Sequence, residues 1–319
     1  MSRYNQKPLD LSGLKTVSLY SRGGKVSVDH FATVPEKTAT TRQWLDSLPK
    51  LLAADSLRAV ADALLAARCN HRAIIWGLGG HVIKCGLAPV LANLMRHGYA
   101  TAFAMNGAAA IHDLEIALAG YTSEDVEAVL PDGSFGSAEE TGREMNQAFR
   151  DAMARSIGAG EAVGEAAARL ADPRFADSSL LVQTWRAAVP VTVHIAVGTD
   201  TPHTHPHADA ASIGHATLTD FKLLCSVIRG LDGGGVYVNA GSAVVLPEVF
   251  LKAVSAVRNL GHPLANFTTV NLDFLQHYRP KVNVVERPHS KAGGHGYSIT
   301  GHHEIMIPLL AAILMEAES

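Results

Sequence analysis

The chain is poor in the features that mark basic, secreted or membrane proteins. Only 18% of its residues are charged and no basic run stands out, which argues against nucleic acid as a main partner. Its three cysteines, Cys69, Cys85 and Cys225, are odd in number and form no CxxC pair. They read as free thiols in a reducing compartment, and so as a cytoplasmic protein. The first residues are polar and lack the apolar core of a signal peptide. The longest apolar run, Ile305–Met315, has 11 residues, against the roughly 20 needed to cross a bilayer. No membrane partner is expected. There is no GxSxG elbow, no GxxxxGK[ST] loop and no HExxH helix, so serine-hydrolase, nucleotide-triphosphatase and zincin readings lose ground. Internal repeats and Pro- or Ser-rich linkers are absent as well.

What is present is a core and many glycines and histidines. The 319 residues are 47% hydrophobic, with 28 Gly and 16 His, most of the histidines after residue 193, and a net charge of -3. A chain of this size buries about three quarters of its unfolded surface and needs no disulfide or metal to fold. Short, wholly apolar strands alternate with helices. Ala73–Trp76, Thr101–Met105, Pro190–Val197, Val236–Val238 and Phe267–Leu272 read as strands. Helices are expected over 41–67 (interrupted by Pro49), 81–97, 108–119, 217–229, 247–259 and 303–316. Buried strands between helices are the mark of a parallel sheet covered on both faces. The expected fold is α/β: a doubly wound, mostly parallel Rossmann-like sheet with a helical insert at about 137–187. Residues 1–40 read as an N-terminal extension to a single domain over 41–319.

Four strings carry candidate chemistry. Gly77-Leu78-Gly79-Gly80-His81 stands between the first core strand and its helix, where glycines let a backbone approach a pyrophosphate. GxGxxG would need glycine at 82, which is Val82. Asn106-Gly107 opens the next helix, followed by His112, Asp113 and Glu115, at a strand end of the kind that lines a ligand crevice. The alternative is that the acids only complement the helix dipole. In Thr201-Pro202-His203-Thr204-His205-Pro206-His207, alternate side chains of an extended chain could share a face and hold a divalent metal such as zinc. The bland reading is a solvated, histidine-rich loop. In the tail, Lys291 sits among Gly293, Gly294 and His295, and an enclosed lysine can attack an imine; a surface lysine is the competing reading. His302-His303-Glu304 could cap the last helix or supply ligands from across the crevice. Gly233–Gly235 and Asn239–Ser242 flank a strand and could form a second cradle, or be ordinary turns.

Several of these strings, in order, resemble deoxyhypusine synthase, the NAD-dependent family that moves an aminobutyl group from spermidine to a protein lysine. Gly79–Gly86 resembles its first cofactor loop, Asn106–Glu115 its Thr-Ala-Gly-Gly segment, and Pro190–Asp200 its strand ending in Thr-Asp-Gly-Ser. Asp232–Ser242 is similar to its triple-glycine region, and Ile305–Ala312 to its apolar tail helix. The likeness spans about residues 70–315. It implies NAD held by Gly77, Gly79, Gly80, His81, Asn106, Gly107, Asp113, Glu115, Asp200, Gly234 and Gly235. It also implies a homotetramer with cofactor sites between subunits. Counting back from Pro308 to the family's catalytic Trp-Gly-Lys falls on His289, with Lys291 two residues on and no tryptophan nearby. The family's Lys-His-His after the triple glycine is replaced by Val244-Val245-Leu246, and nothing in it corresponds to the 203–207 histidines.

The leading expectation is therefore an NAD-dependent enzyme acting on a small-molecule amine, oxidising it to an imine that is then transferred or cyclised. Lys291, His112 and His289 are its candidate catalytic residues. The alternatives are a metal-dependent enzyme built on His203, His205 and His207, and a non-catalytic small-molecule-binding oligomer.

Overall fold

The computed structural model describes residues 3–317. Six strands form one wholly parallel sheet: β1 Ile74–Leu78, β2 Ala102–Asn106, β3 Val191–His194, β4 Val236–Ala240, β5 Thr268–Asp273 and β6 His295–Thr300. Their spatial order is β3-β2-β1-β4-β5-β6, the doubly wound dinucleotide-fold order whose direction of winding reverses between β1 and β4. The helices in chain order are α1 Thr41–Ser47, α2 Leu52–Cys69, α3 Gly80–Lys84, α4 Ala88–Arg96, α5 Gly107–Ala119 and α6 Val126–Val129. Then follow α7 Glu139–Arg155, α8 Ala159–Leu170, α9 Leu180–Arg186, α10 Ala210–Ile228, α11 Val245–Asn259, α12 Tyr278–Pro280 and α13 His303–Glu316. Helices α7, α8 and α9 fill the stretch expected as a helical insert. From residue 3 to residue 40 the chain is almost wholly exposed, with a 3-10 turn at Val28–His30.

Burial on both faces explains why the strands read as unbroken apolar runs. Along β1, Ile74, Trp76 and Leu78 enter one core with α2, α4, α5, α8 and α13, while Ile75 enters the other with α10 and α11. The Trp76 indole N–H, fully enclosed, donates to the Tyr99 carbonyl at 2.9 Å. On the opposite face Tyr237 stacks on Phe250 at 3.8 Å between centroids, and its hydroxyl fills the place a Gly77 side chain would take. A single helix expected over 81–97 is two, α3 and α4, because Gly86 turns the chain at φ +73°. Strand β6 lies where a glycine-rich loop was expected. Among the described residues, no helix is long and apolar enough to cross a membrane.

Candidate functional site

In a parallel sheet every strand delivers its following residues to one end, and ligands of doubly wound folds lie there, at the switch between β1 and β4. This single rule sorts the candidates. Gly79, Gly80 and His81 follow β1, Gly107 follows β2, the 195–200 loop follows β3, Gly241 and Ser242 follow β4, and His302–Glu304 follow β6. All stand at the carboxyl end. Gly234 and Gly235 precede β4, and His289 and Lys291 precede β6, so they stand at the amino end, across the sheet from the crevice. There Gly235 N–H bonds the Leu231 carbonyl in the turn into β4. His289 is held by Thr269 Oγ1 at 2.8 Å and by the Gly293 carbonyl at 3.2 Å, and burial lowers its pKa. Lys291 is exposed on the next turn. These four residues form no part of the crevice.

At the carboxyl end the glycines serve close packing. A side chain on Gly79 would collide with the Gly241 carbonyl oxygen, so the loops after β1 and β4 meet because residue 79 is glycine, while Gly241 turns the second loop at φ +67°. Gly80 presses on Ala108 and on His112 of α5. Asn106 caps α5, its side chain accepting from Ala109 N–H at 2.9 Å. Asp113, expected at the cofactor, is fully buried instead. Its carboxylate accepts from Ser179 Oγ at 2.6 Å and from Leu180 and Leu181 N–H at 2.8 Å each, capping α9, and burial lifts its pKa to about 6. Its work is to tie the insert to α5.

The remaining polar groups fall into two flanks. On the β2–β3 side, a cavity of about 230 Å³ is lined by Lys84, His112, Glu115, Phe135 and Asp200. Asp200 lies directly against Gly107, whose missing side chain makes room for its carboxylate, and burial raises its pKa despite a hydrogen bond from Ala196 N–H at 3.3 Å. His112 Nδ1 pairs with Thr122 Oγ1 at 2.7 Å, and that hydroxyl makes a very short bond to Glu115. Thr141 donates to the other Glu115 oxygen at 3.1 Å. Burial would raise the Glu115 pKa, but its bonds to His112, Thr122 and Thr141 outweigh burial and hold it below the usual carboxylate value. Glu115 thus fixes the His112 ring, and His112 Nε2 has no hydrogen-bond partner among the described residues.

The other flank lies between β1, β5 and α13. His81 Nε2 is 3.4 Å from Cys85 Sγ, which lies 3.7 Å from Glu304 Oε2. Burial, and then the Glu304 charge, raise the Cys85 thiol pKa. Below them, Asn239 Nδ2 donates to Asn271 Oδ1 at 2.7 Å, a fully buried pair across β4 and β5, and Asn271 Nδ2 donates to the half-buried Gln276 at 2.8 Å. Asn271, Gln276 and the role of Cys85 were not singled out in the sequence; only the isolated asparagine in the Thr-Val-Asn-Leu strand hints at the first. The three expected metal ligands do not converge. His203 Nδ1 accepts from Gly198 N–H at 3.2 Å, because Thr201–Thr204 is a 3-10 turn and not an extended segment. His205 has both nitrogens engaged, Nε2 with Glu139 at 3.0 Å and Nδ1 with His207 N–H at 3.2 Å, while His207 is exposed.

No family model and no curated relative matches the sequence. Solved structures do match. One is an LOR/SDH protein from Methanococcus maripaludis S2, at 16% identity and TM-score 0.52 over 90% of this chain and 74% of that one. Another is AgrE in a ternary complex with ornithine and NAD+, at 14% identity and TM-score 0.51 over 82% of this chain and 33% of that one. A protein assigned as a deoxyhypusine synthase from Entamoeba histolytica aligns over 88% of this chain and 94% of its own, at 10% identity and TM-score 0.49. The chain spans about a third of the length of the AgrE and ArgZ chains it matches. The likeness is one of fold: an α/β Rossmann-like sheet.

Proposed function

We propose that this chain is an NAD-dependent enzyme acting on a small amine in the crevice over β1, β4 and β5. The observation that carries the reading is the cavity beside Asp200 at the carboxyl ends of β2 and β3. In a sheet of this order that position receives the adenosine half of a dinucleotide, and a carboxylate there hydrogen-bonds the ribose hydroxyls. Asp200 and Lys84 suit the two parts of such a ligand, the diol and the phosphates. The carboxylate also favours NAD over its 2′-phosphorylated form, since a second anion beside it is repelled. AgrE, which is similar in fold, was solved in a ternary complex with ornithine, an amine, and NAD+, which supports the reading.

When bound, NAD accepts a hydride from a substrate carbon. The proton that leaves the amine nitrogen as the imine forms passes to solvent. His112, with Nδ1 pinned by Thr122 and Glu115 behind it, lines the Asp200 cavity and so serves the adenosine half of the dinucleotide, not the amine. The balance is amine plus NAD+ giving imine, NADH and one proton. Water would hydrolyse the imine, so the touching loops at Gly79 and Gly241 also serve by closing the crevice floor. No lysine nucleophile comes from the 289–291 segment, so transfer to a lysine of this chain is not part of the reading.

Saturable binding of NADH that is tighter than that of NADPH, and NADH formation from NAD+ with one member of a panel of primary amines, would support the proposal. Binding without any turnover would favour the non-catalytic oligomer. The homotetramer implied by the family resemblance belongs to the proposal too, and native mass spectrometry reads it directly.

A further inference from the structure

The flank of the crevice away from the cavity carries a group of side chains that amine oxidation does not use. His81 and Cys85 are one helical turn apart at the two ends of α3 and so share a face. Glu304, in the first turn of α13, meets them from 219 residues away along the chain. One ligand atom from each residue lies within 4.8 Å of the other two. Among the described residues, this is the group of three His, Cys or carboxylate side chains so placed.

The distances match one particular occupant. Around a tetrahedral zinc ion, bond lengths of about 2.3 Å to sulfur and 2.0–2.1 Å to nitrogen and oxygen put neighbouring ligand atoms about 3.3–3.6 Å apart. Here the nitrogen–sulfur edge is 3.4 Å and the sulfur–oxygen edge 3.7 Å. Two of the three edges are already near the lengths the ion would require, and the third, between His81 and Glu304, is no longer than 4.8 Å. A thiolate, an imidazole and a carboxylate also select zinc or cobalt over magnesium or calcium, which prefer all-oxygen shells.

A second observation lies beside them. The His303 ring is 1% exposed and 5.7 Å from the His81 ring, centroid to centroid. Its Nε2 is spent on the Leu272 carbonyl at 3.1 Å, leaving Nδ1 with no partner among the described residues. Buried polar atoms are nearly always hydrogen-bonded, and a bound water or ligand is the usual partner when the chain supplies none. Phe274, stacked on His302 at 5.6 Å, walls the same corner.

We infer that His81, Cys85 and Glu304 form a transition-metal site of the zinc type at the mouth of the crevice, with three protein ligands and one open position. Three protein ligands plus an exchangeable fourth is the arrangement of catalytic zinc, whereas structural zinc has four. The open position takes a lone-pair donor, such as the carboxylate or amine of an amino-acid-like substrate. Metal uptake displaces the Cys85 proton to solvent. The site needs no dinucleotide, so its failure and that of the NAD reading are separable.

The test is a titration of untagged, chelator-treated full-length protein with Co2+, followed by displacement with Zn2+. The expected result is uptake of one ion per chain with a thiolate-to-cobalt charge-transfer band, lost in Cys85→Ser. Glu304→Gln and His81→Gln, both at exposed positions and so not needed for folding, weaken uptake at least tenfold. His207→Ala leaves it unchanged. No stoichiometric uptake by the wild type, or a band that survives Cys85→Ser, overturns the site. Circular dichroism on each variant, with an NADH titration alongside, separates loss of metal from loss of fold or of dinucleotide binding.

Discussion

Replacing Asp113 by alanine separates a cofactor residue from a structural one. The carboxylate satisfies three buried donors: the Ser179 hydroxyl and the Leu180 and Leu181 N–H groups. Stranding three such donors costs about 5–6 kcal/mol at roughly 2 kcal/mol each. Against that, removing the carboxyl relieves the burial that lifts its pKa from 3.8 to about 6, worth about 3 kcal/mol at pH 7. The difference predicts a destabilisation of about 2–3 kcal/mol. Asparagine can keep the oxygen that serves Ser179 and Leu181 but strands Leu180 N–H and its own buried amide N–H, about 4 kcal/mol at the same rate, so Asp113→Asn should cost about 1 kcal/mol once the roughly 3 kcal/mol of burial is credited. Urea unfolding at pH 7 measures both, and NADH affinity should change less than twofold in either. A variant as stable as the wild type that no longer binds NADH would refute the structural role and make Asp113 a cofactor ligand.

His194 is 3% exposed and held neutral, its pKa lowered from 6.5 to about 4 by burial. Its folded form binds fewer protons than the unfolded chain, so its contribution is complete above pH 6.5 and falls by up to about 3 kcal/mol as pH drops from 6.5 to 4. The stability difference between wild type and His194→Gln, followed across that range, should show this loss; a flat difference would mean the ring is not buried and neutral. Gly79→Ala forces apart the loops after β1 and β4, and should destabilise by about 2 kcal/mol or more while weakening NADH binding at least tenfold. Unchanged binding in a folded Gly79→Ala protein would remove that turn from the site. Lys291→Ala should leave NADH binding and amine turnover within twofold of wild type, and a large loss would return the amino-end segment to the chemistry.

The sheet was legible because strands buried on both faces have to be apolar throughout: Ile74–Trp76, Phe103–Met105 and Val236–Val238 needed no periodicity to be seen. Strand β6 was not, because His295–Thr300 is an edge strand of mixed polarity following two glycines, and such composition also fits a loop. Chain direction held more information than the motifs did. Gly234, Gly235, His289 and Lys291 all come just before a strand, and in a parallel sheet that alone places them at the amino end, away from the crevice. Asp113 misled for a different reason: an acid early in a helix looks like a ligand or a dipole partner until the tertiary fold brings the Ser179–Leu181 turn onto it. The 203–207 histidines have an extended-strand spacing, but proline at 202 fits the 3-10 turn that turns His203 back to Gly198. His81, Cys85 and Glu304 could not be grouped from sequence at all, since nothing local links residue 85 to residue 304.

The central claim, that NAD binds with Asp200 at its ribose, is tested most directly by calorimetric titration of the full-length protein with NADH and NADPH, in wild type and Asp200→Asn. The account predicts one NADH per chain, at least tenfold tighter than NADPH, with affinity for NADH reduced at least tenfold and the preference largely erased in Asp200→Asn. No saturable binding of either dinucleotide, or binding indifferent to Asp200, would contradict it.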